Sequence, residues 1–343
     1  MLLFQDLIIN WYHENHRNLP WRDTNNPYFI WLSEIILQQT RVDQGLPYFE
    51  KFIAHYPTVY ELANSDEQAI LNDWQGLGYY SRARNLHKTA KEVVEIHNGR
   101  FPETYLELLK LTGIGPYTAA AIASFAFDEV KAVVDGNVYR VLSRIFDLDD
   151  AIDSNQGKKN FELLANELID KYKPAIYNQA IMEFGALQCV PVNPTCGACP
   201  LQFQCLAFKN KTISQRPVKL KKAKVVVRHF LYLVELSKSK TIRIEKREGK
   251  GIWQNLFQFP LLEFDSSEKK NIFLTTLKAE FISQEYKHIL SHQHLLAHFA
   301  VRTPREKIRS NQQEISLSEL SDFPIPRLIE KFWEEYSEMI SKI

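Results

Sequence analysis

The sequence predicts two domains, a mainly α-helical one followed by a mixed α+β one. Three observations carry that expectation. Up to about residue 208, apolar residues recur at helical spacing, as in Phe29 to Val42, Thr104 to Leu111 and Val138 to Phe146. From about Val225 the text turns to β-branched and aromatic runs, Val225-Val226-Val227 and Phe230-Leu231-Tyr232-Leu233-Val234, with a further strand region and turns from Trp253 to Leu262. All four cysteines lie between Cys189 and Cys205, at the end of the helical part. The expected boundaries are 1–208, a linker at 209–224, and 225–343. With 343 residues, 45% of them hydrophobic and 24% charged, the chain can bury two cores and does not read as disordered.

No apolar run approaches the ~18 residues of a membrane-spanning helix. The start, Met1-Leu2-Leu3-Phe4-Gln5-Asp6, lacks a basic leader and a small-residue cleavage site. The expectation is a cytoplasmic protein with no membrane partner. A net charge of +1 neither announces nor excludes nucleic acid, because a local basic patch is what meets phosphates. One such stretch is Lys209, Lys211, Arg216, Lys219, Lys221, Lys222 and Lys224, with no acid between them and with Pro217. It reads equally well as a solvated tether or as a phosphate contact.

The cysteines follow the spacing C-x6-C-x2-C-x5-C at Cys189, Cys196, Cys199 and Cys205, with Pro191, Pro194, Pro200 and Gly197 shaping the loops between them. Confinement to so short a span is unlike a secreted disulfide framework. Structural zinc sites usually join two close pairs across a longer gap, whereas here one pair is flanked by single cysteines. That pattern favours a [4Fe-4S] cluster held by four thiolates, with zinc as the alternative.

Leu111-Thr112-Gly113-Ile114-Gly115-Pro116-Tyr117-Thr118 falls between two helical stretches and looks like a helix-hairpin-helix turn. Gly113 and Gly115 would expose backbone N–H groups to a DNA phosphate at the start of the helix from Pro116, although an ordinary interhelical turn gives a similar pattern. Asp135 ends an apolar run and opens an amphipathic helix in Val133-Val134-Asp135-Gly136-Asn137-Val138. It can serve as an N-cap and also as a fixed negative charge beside an oxocarbenium-like sugar. Glu34, within Trp31-Leu32-Ser33-Glu34-Ile35-Ile36-Leu37, is surrounded by large apolar residues. Burial there would raise its pKa toward that of a general acid, whereas a shared polar stripe with Gln38 and Arg41 would leave it ordinary.

In order along the chain these pieces resemble the endonuclease III superfamily over residues 6–208 and, within it, the MutY adenine glycosylases. The matching text is Leu19-Pro20-Trp21-Arg22, Trp31 to Glu34 with Gln38-Gln39-Thr40, Gly76-Leu77-Gly78-Tyr79-Tyr80-Ser81-Arg82-Ala83-Arg84-Asn85-Leu86, the glycine hairpin, Asp135-Gly136-Asn137 and the cysteine loop. Bifunctional relatives carry a lysine nucleophile just after the hairpin. Tyr117 stands there in this chain, and a phenol cannot form a Schiff base. The resemblance implies a monofunctional N-glycosyl hydrolase that excises adenine opposite 8-oxoguanine or guanine in double-stranded DNA, acting as a monomer.

By that resemblance Glu34 protonates the base and later assists water, and Asp135 stabilises the sugar cation through charge or a transient bond. Asn137 orients the site, and Tyr117 hydrogen-bonds near the acids. Arg22, Gln179 and Met182 enclose a flipped adenine, while Gln39 and Tyr79 wedge into the duplex beside the lesion. One of Tyr79 and Tyr80 can instead pack in the core. The second domain resembles the Nudix-like domain of that family through Gly251 to Pro260, without the acids of a catalytic Nudix box, so it is expected to bind rather than hydrolyse. Ser291 and His292 match its lesion-sensing loop, with Leu290 where phenylalanine is usual. The competing readings are a pyrimidine or thymine-mismatch glycosylase of the same superfamily and a catalytically silent lesion-binding protein.

Overall fold

The computed structural model describes residues 3–220, 225–305 and 307–343, so Lys221, Lys222 and Lys224 of the basic stretch lie outside the described residues. The helices are α1 (Phe4–Asn15), α2 (Pro27–Leu37), α3 (Val42–His55), α4 (Val59–Asn64), α5 (Glu67–Asp73), α6 (Ser81–His97), α7 (Tyr105–Leu108), α8 (Pro116–Phe127), α9 (Gly136–Ile145), α10 (Asn155–Leu168), α11 (Pro174–Leu187), α12 (Leu206–Lys209), α13 (Ser267–Thr276) and α14 (Arg327–Lys342). The strands are β1 (Val226–Glu235), β2 (Thr241–Lys246), β3 (Phe257–Gln258), β4 (Leu261–Phe264), β5 (Phe281–Ile282), β6 (Tyr286–Ile289), β7 (Gln293–Arg302) and β8 (Gln312–Ser316). Among the described residues no helix is long and apolar enough to cross a membrane.

By contacts the chain divides into two compact units, Met1–Asn64 with Asn85–Lys221, and Ser65–Arg84 with Lys222–Ile343. The first unit is helical, as its periodicity predicts. Its core gathers Ile8, Val141, Leu142, Phe161, Tyr177 and Phe184 from α1, α9, α10 and α11, all with almost no exposure. Two segments end sooner than the apolar pattern suggests. The stretch Phe29 to Val42 breaks after Leu37, where Gln39 takes a left-handed φ of 57° before α3 begins. Thr104 to Leu111 yields a single turn, α7, capped by the Thr104 side chain, and then the hairpin.

Gly113 in that hairpin has φ +75°, and a Cβ on it would lie 2.6 Å from the Cβ of Asn85. Thr112 donates its N–H and hydroxyl to Glu92 at 2.8 and 2.5 Å, which pins the turn to α6. Gly113→Ala is therefore expected to cost about 1–3 kcal/mol, read as a lower denaturant midpoint at unchanged slope. Residues 209–220 are not a free tether. Arg216 pairs with Asp147 at 2.9 Å, Thr212 and Asn210 donate to the same carboxylate, and the Leu220 N–H reaches Asp153. This basic stretch offered no apolar pattern to signal that docking.

The second unit has an α+β architecture. One sheet runs β4-β1-β7-β5, with β6 also paired to β7, and the other runs β3-β2-β8. From Val226 on, the two expected runs form one strand, β1, paired parallel with β7 over its whole length. Its core is aromatic. Phe299 on β7 stacks on Phe332 of α14 with ring centroids 4.0 Å apart and on Tyr232 of β1 at 5.0 Å. The region Trp253 to Leu262 becomes a turn followed by β3 and the start of β4.

Candidate active site

The site begins with the way α2 goes inside. Asn26 caps the helix by accepting from the Tyr28 N–H at 3.0 Å, Pro27 opens it, and apolar side chains then follow on nearly every face. Glu34 is carried in with them and is 7% exposed. Tyr117, in the first turn of α8, donates its hydroxyl to Glu34 Oε2 at 2.5 Å. Burial pushes Glu34 up to about 7 against the opposing Tyr117 hydrogen bond, with nearby Asp135 adding to the rise and Arg22 opposing it. Burial and the neighbouring carboxylates lift the Tyr117 phenol well above its usual range, so it is a neutral donor. The polar stripe of Glu34, Gln38 and Arg41 does not form, because α2 ends at Leu37.

Asp135 caps α9. Its Oδ1 accepts from the N–H groups of Asn137 and Val138, both at 2.8 Å, and its Oδ2 accepts from Asn137 Nδ2 at 2.7 Å. Burial raises its pKa, while these donors and the charge of Arg140 pull it down. Asn137 is fixed from behind, since Arg140 donates to its Oδ1 at 2.8 Å, to Gly185 O at 2.6 Å and to Cys189 O at 2.7 Å. A Cβ on Gly185 would lie 2.6 Å from that of Asn137, so glycine is what lets α11 pass so close.

Glu34, Tyr117, Asp135 and Asn137 line one cavity of ≈ 660 Å³, together with Arg22, Gln179 and Met182. The structure thus brings together seven residues that the sequence singles out separately. Gln179 Oε1 accepts from the Tyr12 hydroxyl at 2.9 Å, and the Arg22 guanidinium lies 5.7 Å over the Tyr12 ring. Glu183 shares the cavity wall but was missed by the sequence analysis. Its two oxygens are held by Arg17 and Arg22. Burial opposes its charge, yet the Arg17 and Arg22 hydrogen bonds hold it down at about 2. Its signal in the sequence is the same as that of Glu34, an acid within the apolar run Ala180-Ile181-Met182-Glu183-Phe184. Two buried carboxylates in one cavity are therefore driven in opposite directions.

Gly113, Gly115 and Gln39 are not in this cavity. Gly115 caps α8, and Gln39 is exposed at the turn between α2 and α3. In the second unit Tyr79 is 43% exposed with φ 48°, while Tyr80 is 6% exposed and packs inside. The Tyr79 hydroxyl hydrogen-bonds the Ser291 hydroxyl, and both residues line a separate cavity of ≈ 460 Å³ with His292, Leu290 and Trp253. The Arg82 guanidinium lies over the rings of both Trp74 and Tyr79, a support that the sequence did not reveal.

The four cysteines line one small apolar cavity with Ile145, Phe184 and Phe208. Burial pushes the Cys199 thiol up to about 11, with the charges of Cys189, Cys205 and Cys196 adding to it. As the side chains stand, no group of three His, Cys, Asp or Glu among the described residues converges tightly enough to hold a metal ion. The donor set, four thiols around one apolar cavity with Arg144 beside the Cys189 sulfur at 3.4 Å, fits an anionic metal-sulfur group. Arg144 is 1% exposed and donates to the carbonyls of Val190, Pro191 and Ile213 at 2.8, 2.9 and 3.2 Å. Arg144→Met strands those acceptors and is expected to cost about 2–4 kcal/mol, seen as a fall in Tm with early proteolysis near residues 189–216.

Residues 32–171 match the HhH-GPD superfamily of base excision DNA repair proteins, and residues 231–335 match the NUDIX domain. Fold and site together define a DNA glycosylase of that superfamily with a Nudix-like second domain. The solved structure of a thermostable thymine-DNA glycosylase is similar at a TM-score of 0.57 and 30% identity, covering 60% of this chain and 95% of that one. An endonuclease III bound non-covalently to DNA shares the fold, at TM-score 0.53 and 23% identity over 62% of this chain and 99% of that one. The adenine DNA glycosylase of Buchnera aphidicola subsp. Baizongia pistaciae is 40% identical over 85% of this chain and 83% of its own length. The chain belongs to the adenine DNA glycosylase family.

Proposed function

We propose that the protein is a monofunctional glycosylase that removes adenine paired with 8-oxoguanine or guanine in double-stranded DNA, acting as a monomer. The observation that carries this reading is the cavity lined by Asp135, the donor Tyr117 and a buried Glu34 whose carboxyl is pushed up to about 7. In the reaction the Glu34 carboxyl gives its proton to a ring nitrogen of adenine as the N-glycosidic bond breaks, so a neutral base leaves. The electron-deficient C1′ is stabilised by Asp135, which Asn137 and the start of α9 hold in place. Water then adds to C1′, and its proton returns to the Glu34 carboxylate. Tyr117 supplies no amine, so the product is an abasic site in an intact strand.

Arg22, Gln179 and Met182 enclose the extruded base. Gly113 and Gly115 present backbone N–H groups to a phosphate. Gln39 and Tyr79 enter the base stack, and Ser291 and His292 contact the oxidised guanine, with Leu290 contributing no ring. Cys189, Cys196, Cys199 and Cys205 would hold a [4Fe-4S] cluster. Such a cluster would tie the loop together and supplies no step of base release. The mispair reading is tested by single-turnover release from duplexes with adenine opposite 8-oxoguanine, guanine or thymine, and with thymine opposite guanine. Release should be fastest opposite 8-oxoguanine, slower opposite guanine and least for the other two. Equal rates for all three adenine duplexes would remove the lesion from the account, and release of thymine would transfer the assignment to thymine glycosylases.

A further inference from the structure

The proposed reaction leaves one buried charge of the cavity unused. Glu183 on α11 is 1% exposed, and its Oε1 takes the Arg17 N–H at 3.0 Å and the Arg17 Nε–H at 2.8 Å. Its Oε2 takes one terminal nitrogen each from Arg17 and Arg22, at 2.6 and 2.7 Å. Arg22 also donates to the Arg17 carbonyl at 3.0 Å. The two arginines differ in what they can do without this carboxylate. The Arg17 side chain is 37% exposed and can turn to water, whereas that of Arg22 is 13% exposed on the wall of the cavity.

We infer that Glu183 is a positioning residue that fixes the Arg22 guanidinium against the cavity wall and neutralises it, so that this guanidinium does not act as an uncompensated cation on the group that protonates the base. This rests on the reading of Glu34 as the acid. A guanidinium without its counter-charge, on a side chain as little exposed as that of Arg22, would favour the Glu34 anion and oppose a proton arriving on the bound base. The field of Arg22 already acts on Glu34 in the lowering direction. The other charged and titratable groups facing the cavity are Tyr117 of α8, Asp135 and Arg140 of α9, Arg41, and Asp43 of α3. They are unchanged by substitution at residue 183. A carboxylate that merely tied α11 to the segment before α2 would affect folding without retuning the acid.

The test is single-turnover adenine release from an adenine:8-oxoguanine duplex between about pH 5 and pH 9, for the whole protein, Glu183→Gln and Glu183→Gln/Arg22→Met. In Glu183→Gln the alkaline midpoint of the rate should fall by about one pH unit, giving about ten-fold slower release above it. The double variant, which removes the cation as well, should return the midpoint toward the parent value. A midpoint unmoved in Glu183→Gln, or not restored in the double variant, overturns the inference. Should Glu183→Gln not fold, Arg22→Met alone must raise the midpoint above the parent value, and failure to do so also overturns it. The parent protein separates this from the function itself. No release by the parent protein defeats the glycosylase reading, and full release by Glu34→Gln defeats the acid assignment, whatever residue 183 does.

Discussion

Glu34→Gln is expected to slow adenine release by about 10²–10⁴-fold at neutral pH while leaving affinity for the mispaired duplex within a few-fold of the parent. Glutamine has nearly the same shape, so the packing of α2 is kept and the Tyr117 hydroxyl can still donate to its carbonyl oxygen. What is lost is the transferable proton. Burial holds the Glu34 carboxyl near 7, so the acid form is complete well below that pH and is lost as pH rises through it. The rate should therefore fall on the alkaline side with a midpoint near neutrality, and Glu34→Gln should abolish that limb. A rate that stays flat from mildly acid to alkaline pH would mean that another group delivers the proton.

Asp135→Asn is expected to slow release by about 10²–10³-fold, the scale for losing one preorganised electrostatic group at a transition state. Asparagine can still accept from the backbone of Asn137 and Val138, so α9 keeps its cap. Its side-chain N–H groups, however, would meet Asn137 Nδ2, now donor against donor, and Asn137 cannot simply flip because Arg140 donates to its oxygen. The change should thus cost about 1 kcal/mol of stability and far more in rate. Equal losses in Tm and in rate, with the residual enzyme fully active per folded molecule, would reduce Asp135 to a helix cap.

The fold class of this chain and the residues that line its helical cavity are legible in the sequence, and the partners that meet across long stretches of chain are not. Glu34 stands out as a carboxylate among Leu32, Ile35 and Ile36, although its spacing leaves burial and a polar stripe with Gln38 and Arg41 equally open. Asp135 is legible as a helix cap where an apolar run meets an amphipathic helix, and only the resemblance adds a role beside the sugar. Glu183 has the same apolar setting as Glu34, yet its partners Arg17 and Arg22 lie far away in sequence, and pairing over such a distance has no periodicity. The break at Gln39 was hidden because no glycine or proline marks it, and its left-handed backbone follows from the turn between α2 and α3. The alliance of Tyr79 with Ser291 joins residues 212 positions apart. Likewise, residues 65–84 group by contacts with the C-terminal unit although the surrounding text is uniformly helical.

The central claim is that Glu34 and Asp135 together break an N-glycosidic bond to adenine and leave the sugar-phosphate chain whole. It is tested most directly by incubating the purified protein with an adenine:8-oxoguanine duplex and following both products, free base by chromatography and strand breaks by denaturing electrophoresis with and without alkali. The account predicts stoichiometric free adenine in a single turnover and breaks that appear only after alkali. Absence of free adenine, or strand cleavage at the same rate as base release without alkali, would contradict it.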